Sequence, residues 1–147
     1  MSLGERHAGG APVARLDGLP PLERRVIRCL RLWCAGPDGE RAVRREVVGD
    51  AGPAGSDRIA ESFDALLRLT AGHARRPLMG HAVDCPCAGS DECIFARFVA
   101  LAAEGARDEA VLVAALIVRV DVAMCLTSVA EEVGLGLMRH RLPRVAH

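Results

Sequence analysis

Apolar residues recur at helical spacing along most of the chain, and this periodicity restricts the fold more than any other feature. Between residues 59 and 70 they follow at i, i+4, i+7, i+8 and i+11, which places them on one helix face. No segment shows the sustained alternation of a strand. Half of the residues are apolar, but there are only three Phe, one Trp and no Tyr. A core of aliphatic side chains and Ala suits packed helices, so the sequence predicts an all-α fold.

The chain of 147 residues has the length of one domain with a normal hydrophobic core. We expect a single bundle of five to six helices over residues 19–138. Residues 1–18 are rich in Gly, Ala and polar side chains without a period, and they predict a mobile N-terminal arm. Residues 139–147 predict a basic C-terminal tail.

Gly, Pro and capping residues delimit the first three predicted helices. Pro20 and Pro21 open the first, and Gly36-Pro37 ends it. Residues 38–48 form a short polar second helix, followed by a Gly- and Pro-rich break over residues 49–55. Ser56 is the expected N-cap of the third helix, which ends near Gly72.

Two strongly apolar helices are predicted in the second half. Ser90 caps the fourth, with acidic residues placed at the positive end of its dipole, and Gly105 ends it. The fifth begins at Asp108, and its apolar run over residues 110–126 predicts the most buried element of the fold. A capping-box pattern over residues 128–131 predicts a kink or restart at residues 127–128.

The charge composition excludes several classes of function. Acidic and basic residues number 19 each, so no overall field favours nucleic acid or an anionic membrane. All basic residues other than His are Arg, which excludes lysine-based catalysis. The longest apolar run, Ala110–Val118, is too short to span a membrane, and no secretory signal follows the N-terminus, so we expect a cytoplasmic location. Arg119 and Asp121, two positions apart on one predicted helix, point to different faces and should not pair with each other.

The segment between the third and fourth helices concentrates residues that bind metals. His81, Cys85, Cys87 and Cys93 lie within thirteen residues, and His73 lies eight residues before His81. Thiolate and imidazole are the ligands that zinc prefers, and four of them complete a tetrahedral structural site. Cys93 would lie in the first turn of the fourth helix, where free N–H groups favour a thiolate. The spacing therefore predicts a zinc site formed by His81, Cys85, Cys87 and Cys93.

Two other readings of these residues stay open. The cysteines could be small buried residues, as free cysteine commonly is. Alternatively, Cys85-Pro86-Cys87 could act as a redox dithiol, with the neighbouring Arg75 and Arg76 lowering a thiol pKa, although a ring spanning one residue is an awkward disulfide. The remaining cysteines and two methionines lie in apolar helical patterns and predict core positions: Cys29, Cys34, Cys125, Met124 and Met138.

Motifs for hydrolysis, phosphate binding and dinucleotide binding are missing from the sequence. We therefore expect a non-enzymatic interaction or regulatory protein, with a homodimer forming through the apolar fourth and fifth helices. One alternative is a thiol-based redox protein that uses Cys85 and Cys87. The other is a partner-binding module without metal, which should expose an apolar patch.

Four segments together carry a family resemblance: Leu30–Pro37, Ala74–Met79, Cys85–Glu92 and Ala130–Leu135. They resemble a family of small alphaproteobacterial proteins of unknown function, similar in an Arg-Arg-Pro loop and a Cys-Pro-Cys segment. The resemblance covers roughly residues 19–138. It implies a single all-helical domain, and it carries no activity and no catalytic residue with it.

Overall fold

Five α-helices make up most of the described chain. The structure is a computed structural model that describes residues 11–139, with the side chains of residues 49–51 left outside the description. The helices are α1 (Pro21–Cys34), α2 (Gly39–His73), α3 (Ser90–Glu104), α4 (Arg107–Ile117) and α5 (Val120–Arg139). Two short strands, β1 (Pro12–Arg15) and β2 (Cys87–Gly89), and a 3-10 turn, Leu16–Gly18, complete the elements. The predicted all-α single domain is confirmed. The segment between α2 and α3, residues 74–89, is called the Cys/His loop.

Helix α3 is the centre of the bundle. It packs against α1, α4 and α5, and its side chains Phe95, Phe98 and Val99 are fully buried. The two Phe rings meet edge to face with their centroids 6.4 Å apart, a favoured geometry for an aromatic pair. The apolar sequence of α3 is thus explained by neighbours on several sides.

Helix α2 contains both the second and the third predicted helix, joined at a kink. Gly52 has φ 75° and ψ 173°, a backbone conformation that an L side chain rarely adopts, and Pro53 follows it. The kink lies inside the predicted break over residues 49–55. The predicted cap at Ser56 is wrong, because Ser56 is buried inside the helix and its Oγ donates to the Pro53 carbonyl at 3.0 Å.

The predicted fifth helix differs in the position of its break. It ends at Ile117, Val118 is extended, and α5 then runs without interruption through residues 127–128. Thr127 is helical, and its Oγ1 donates to the Ala123 carbonyl at 2.8 Å within the same helix, so the hydroxyl does not cap a new helix. The real break is stabilised from outside, since the Arg119 N–H donates to the His73 carbonyl at 3.2 Å. The capping pattern therefore predicted the break at residues 127–128, whereas it lies at Val118.

The expectation that this apolar run is the most buried element is wrong. Leu112, Leu116, Val120 and Met124 are 70%, 66%, 68% and 63% exposed. Ala110, Ala114, Ile117 and Ala123, on the other side of the same run, are fully or almost fully buried. The run has apolar side chains on opposite sides, and only one of these sides faces the core.

Several predicted core positions need correction for the same reason. Cys29 is buried as expected, but Cys34, Cys125, Met124 and Met138 are exposed.

Arg119 and Asp121 also differ from expectation, because Arg119 Nε lies 3.6 Å from Asp121 Oδ1. Arg119 lies in the break before α5, so helical spacing does not keep the two side chains apart.

The N-terminal part of the described chain joins the fold. Strand β1 pairs antiparallel with β2, with Pro12 opposite Gly89 and Arg15 opposite Cys87. The Leu16 N–H then donates to the Pro86 carbonyl at 2.9 Å. The second half of the predicted mobile arm is therefore paired, and residues 1–10 lie outside the described residues. Of the predicted tail, only Arg139 lies within the described residues, and it is the last residue of α5.

No helix between residues 11 and 139 combines the length and apolarity that crossing a bilayer requires.

Candidate functional site

A buried ion pair between α1 and α3 organises the Cys/His loop. Arg31 Nε and Nη2 donate to Glu92 Oε2 and Oε1 at 2.8 Å and 2.9 Å, and both side chains are about 1% exposed or less. This is the paired, planar geometry in which Arg binds a carboxylate most strongly. Arg31 is only 3% exposed as a residue, which is unusual for an arginine and depends on this pairing.

Both partners of this pair also bind the backbone of the loop. Arg31 Nη1 and Nη2 donate to the carbonyls of Cys85 and Cys87, each at 2.7 Å. Glu92 accepts the N–H of His81 at 2.8 Å and the N–H of Gly89 at 3.1 Å. A loop without regular structure must satisfy its backbone groups in some other way, and here the ion pair satisfies four of them.

These contacts set the protonation of Glu92. Burial alone would raise the pKa of the Glu92 carboxyl. This effect is outweighed by hydrogen bonds from Arg31 and from the His81 and Gly89 N–H groups, and by the positive charge of Arg31. The pKa of Glu92 therefore lies below its ordinary value of 4.5. The carboxylate is charged at neutral pH, as its partner Arg31 requires.

A second arginine–carboxylate pair fixes the start of the loop. Arg76 Nη1 and Nη2 donate to Asp91 Oδ2 and Oδ1 at 2.9 Å and 2.7 Å, and the Met79 N–H donates to Oδ2 at 2.8 Å. Burial opposes ionisation of Asp91, but these donors outweigh it and leave its pKa below the ordinary value of 3.8. Asp91 and Glu92 were predicted as helix-dipole partners, and the structure gives them this further role of anchoring the loop.

The four predicted zinc ligands are only partly brought together. Cys85 Sγ lies 3.6 Å from His81 Nδ1, and Cys87 and Cys93 are half-buried free thiols. Among residues 11–139, no group of three or more His, Cys, Asp or Glu side chains is placed to hold a metal ion. His73 lies apart, with its Nδ1 3.4 Å from Arg119 Nη2.

The zinc site at His81, Cys85, Cys87 and Cys93 therefore stays a prediction, and metal content tests it directly. Mass spectrometry of the untagged protein beside a Cys85→Ser/Cys87→Ser variant is the measurement. About one zinc per chain that is lost in the variant would support the site, whereas equal metal content in both would contradict it.

The thiols differ in their environments. Burial raises the pKa of Cys29 to about 12, which leaves it protonated and unreactive at neutral pH. The pKa of Cys93 is also raised, first by burial and then by the negative charges of Glu92 and Glu23. Only Cys85 has an imidazole beside its sulfur among the described cysteines. A redox role for Cys85 and Cys87 remains a prediction.

A second candidate site is the exposed apolar side of the α4–α5 hairpin. We call Leu112, Leu116, Val120 and Met124 the apolar face. The first two lie one turn apart on α4, and the last two lie one turn apart on α5. The hydrogen bond from Arg107 Nη2 to the Met124 carbonyl, 3.3 Å, links the start of α4 to a later turn of α5 and fits an antiparallel hairpin. The sequence signal for this face is a run that is apolar all round in a domain too small to cover both sides.

Comparison with models of protein families, with curated proteins and with solved structures found no match. The resemblance to an alphaproteobacterial helical family therefore stays a prediction, and the two candidate sites rest on their own geometry.

Proposed function

We propose that the protein is a non-enzymatic interaction protein that forms a homodimer through its apolar face. The observation that carries this proposal is that the α4–α5 hairpin exposes four large apolar side chains within thirteen residues, each at least 63% exposed. Single exposed apolar residues are ordinary, but large apolar side chains concentrated on one pair of consecutive helices are typical of an interaction surface.

The charges around the apolar face favour a second copy of the chain as its partner. Arg107, Arg119, Asp108, Glu109 and Asp121 all flank it, so both signs are present. A surface of one sign would select an oppositely charged partner, whereas a mixed one can complement itself across a two-fold axis. The formal net charge of zero also means that two copies do not repel each other overall.

The Cys/His loop supports the same function indirectly. Leu116 lines a small crevice together with Arg76, Asp91 and Leu78. The Arg76–Asp91 ion pair, which anchors the start of the loop, therefore borders the apolar face at Leu116. A rigid border lowers the conformational entropy that is lost on association.

Light scattering across a range of concentrations tests the homodimer. For the wild-type protein we expect twice the chain mass of 15.6 kDa. The Leu116→Glu/Met124→Glu variant should have the mass of one chain, because two carboxylates would be buried without partners in the interface. Val48→Glu is the matched control, since Val48 is an exposed apolar residue, 42% exposed, on α2 and not on the hairpin.

The control should remain dimeric, and circular dichroism should show that all three proteins are folded. A wild-type mass of one chain at every concentration would contradict the proposal. Dissociation of the Val48→Glu control as readily as the double variant would move the interface away from the apolar face.

A further inference from the structure

A cavity separate from the apolar face lies between the N-terminal segment, α1 and the loop. Its volume is about 380 Å³, within the size range of sites for small ligands. Arg24, Arg28 and Arg31 contribute one side of it from successive turns of α1. Leu16, Val83 and Pro86 supply apolar lining, and Arg15 and Asp17 complete it.

The four arginines of this cavity differ in how their charge is balanced. Arg28 Nε donates to Glu46 at 2.8 Å, Arg31 is paired with Glu92, and Arg15 lies 3.4 Å from Asp17.

Within the described chain, Arg24 is the lining arginine without a carboxylate partner. Its Nη1 reaches only backbone carbonyls, of Leu19 at 3.3 Å and of Asp17 at 3.5 Å. Among residues 11–139, the cavity is therefore lined by one guanidinium without a carboxylate partner, and its other N–H donors are available to a ligand.

We propose that this cavity binds a small monocarboxylate with an apolar body. The carboxylate pairs with Arg24, and the body lies against Leu16, Val83 and Pro86. A single negative charge matches the single uncompensated guanidinium, whereas a dianion would exceed it. A guanidinium presents paired donors that suit the two oxygens of a carboxylate.

Binding at this position would add contacts between two parts of the chain that the β1–β2 pairing already joins. Leu16 follows β1, and Val83 and Pro86 belong to the loop whose carbonyls Arg31 holds. A ligand in contact with both stabilises the folded state in proportion to its occupancy. Neither the cavity nor this effect depends on dimer formation.

Isothermal titration of the full chain at low salt tests the proposal with hexanoate as the probe. Three compounds serve as comparisons. Acetate lacks the apolar body, hexan-1-ol lacks the charge, and hexylphosphate carries a phosphate in place of the singly charged carboxylate. We expect saturable binding of one hexanoate per chain, with a dissociation constant below about 1 mM. Acetate and hexan-1-ol should each bind at least about tenfold more weakly, since each loses one of the two interactions.

Two variants locate the site. Arg24→Gln should weaken hexanoate binding at least about tenfold, the loss expected for one charge-assisted hydrogen-bonded pair. Arg58→Gln is the matched control, because Arg58 is an exposed arginine of α2 outside the cavity, and it should bind as the wild type does. Both substitutions are at exposed positions, so melting curves should show that both proteins are folded.

Three results would overturn the proposal: no saturable hexanoate binding, equal binding of acetate and hexanoate, or an unchanged affinity in Arg24→Gln. Tighter binding of hexylphosphate than of hexanoate would overturn the assignment to a monoanion.

Discussion

Arg31 and Glu92 are the two residues on which the conformation of the Cys/His loop most depends. Each is buried, each is charged, and each makes hydrogen bonds to the loop backbone in addition to their mutual pair. Removing one partner leaves the other charge buried without compensation, which is far more costly than the loss of an exposed ion pair.

We expect Glu92→Gln to lower the free energy of unfolding by about 3–5 kcal/mol, as measured by urea denaturation. The variant keeps the size of the side chain but removes the charge that Arg31 requires, and it turns an acceptor atom into a donor facing N–H groups. Glu46→Gln is the control, because Glu46 pairs with Arg28 at the surface and should contribute less than about 1 kcal/mol. Equal effects of the two substitutions would contradict the buried pair.

The same carboxylate gives the fold a defined response to acid. The pKa of Glu92 is lower in the folded protein than its ordinary value of 4.5, so folding favours the charged form. Its stabilising contribution is complete above the unfolded pKa and is lost as the pH falls through the folded pKa. We therefore expect the wild type to lose stability below about pH 4.5, in a series of urea denaturations extended to about pH 3.

Glu92→Gln should lose less over the same interval, with the remainder due in part to Asp91, whose pKa is also lowered. Parallel curves for the wild type and the variant would show that Glu92 does not contribute.

At the scale of the elements, α3 and α5 pack tightly against each other at Gly134. A Cβ added there would lie 2.7 Å from the Ala103 Cβ and 3.1 Å from the Val99 carbonyl oxygen, closer than such atoms pack. We expect Gly134→Ala to lower the free energy of unfolding by about 1–3 kcal/mol, because the helices must move apart. Thermal or urea unfolding measures the change.

Gly72→Ala is the matched control on α2. Gly72 lies in the last turn of that helix, and an added Cβ would meet no atom within 4 Å. We expect this substitution to stabilise the protein by about 0.5–1 kcal/mol, since Ala restricts the unfolded chain more than Gly does. A neutral effect of Gly134→Ala would show that the two helices do not pack as described.

Helix positions could largely be predicted from local signals, and helix ends only where Gly or Pro marks them. Pro21 begins α1, Gly105 follows α3 in the left-handed conformation, and Gly52 marks the kink of α2. The break at Val118 has no such signal, because Val118 is an ordinary helix residue. Its extended backbone is held by the bridge to Ala74, a contact between positions distant in the sequence.

At the scale of the whole molecule, the sequence identified the residues of the loop but not what holds them. His81, Cys85, Cys87 and Cys93 stood out by residue type, whereas Arg31 is one of four arginines in α1 and lies 54 residues from the Cys85 carbonyl that it binds. Likewise, apolarity alone could not tell which side of the α4–α5 hairpin faces the core. Both answers depend on tertiary contacts, which helical periodicity does not encode.

The proposed homodimer implies that the stability of the whole molecule depends on its concentration. If the native state is a homodimer and unfolding releases two chains, mass action raises the melting temperature as the protein concentration rises. We expect the wild-type Tm to increase over a hundredfold concentration range in calorimetry. The Leu116→Glu/Met124→Glu variant, monomeric by design, should have a Tm that does not change with concentration.

The Val48→Glu control should follow the wild type. A concentration-independent wild-type Tm would mean that association does not stabilise the fold.

A core variant provides the contrast to the apolar face. Val133 is buried on α5, next to Gly134. Val133→Ala should lower the Tm equally at every concentration, because it weakens the core of each chain and leaves the apolar face intact.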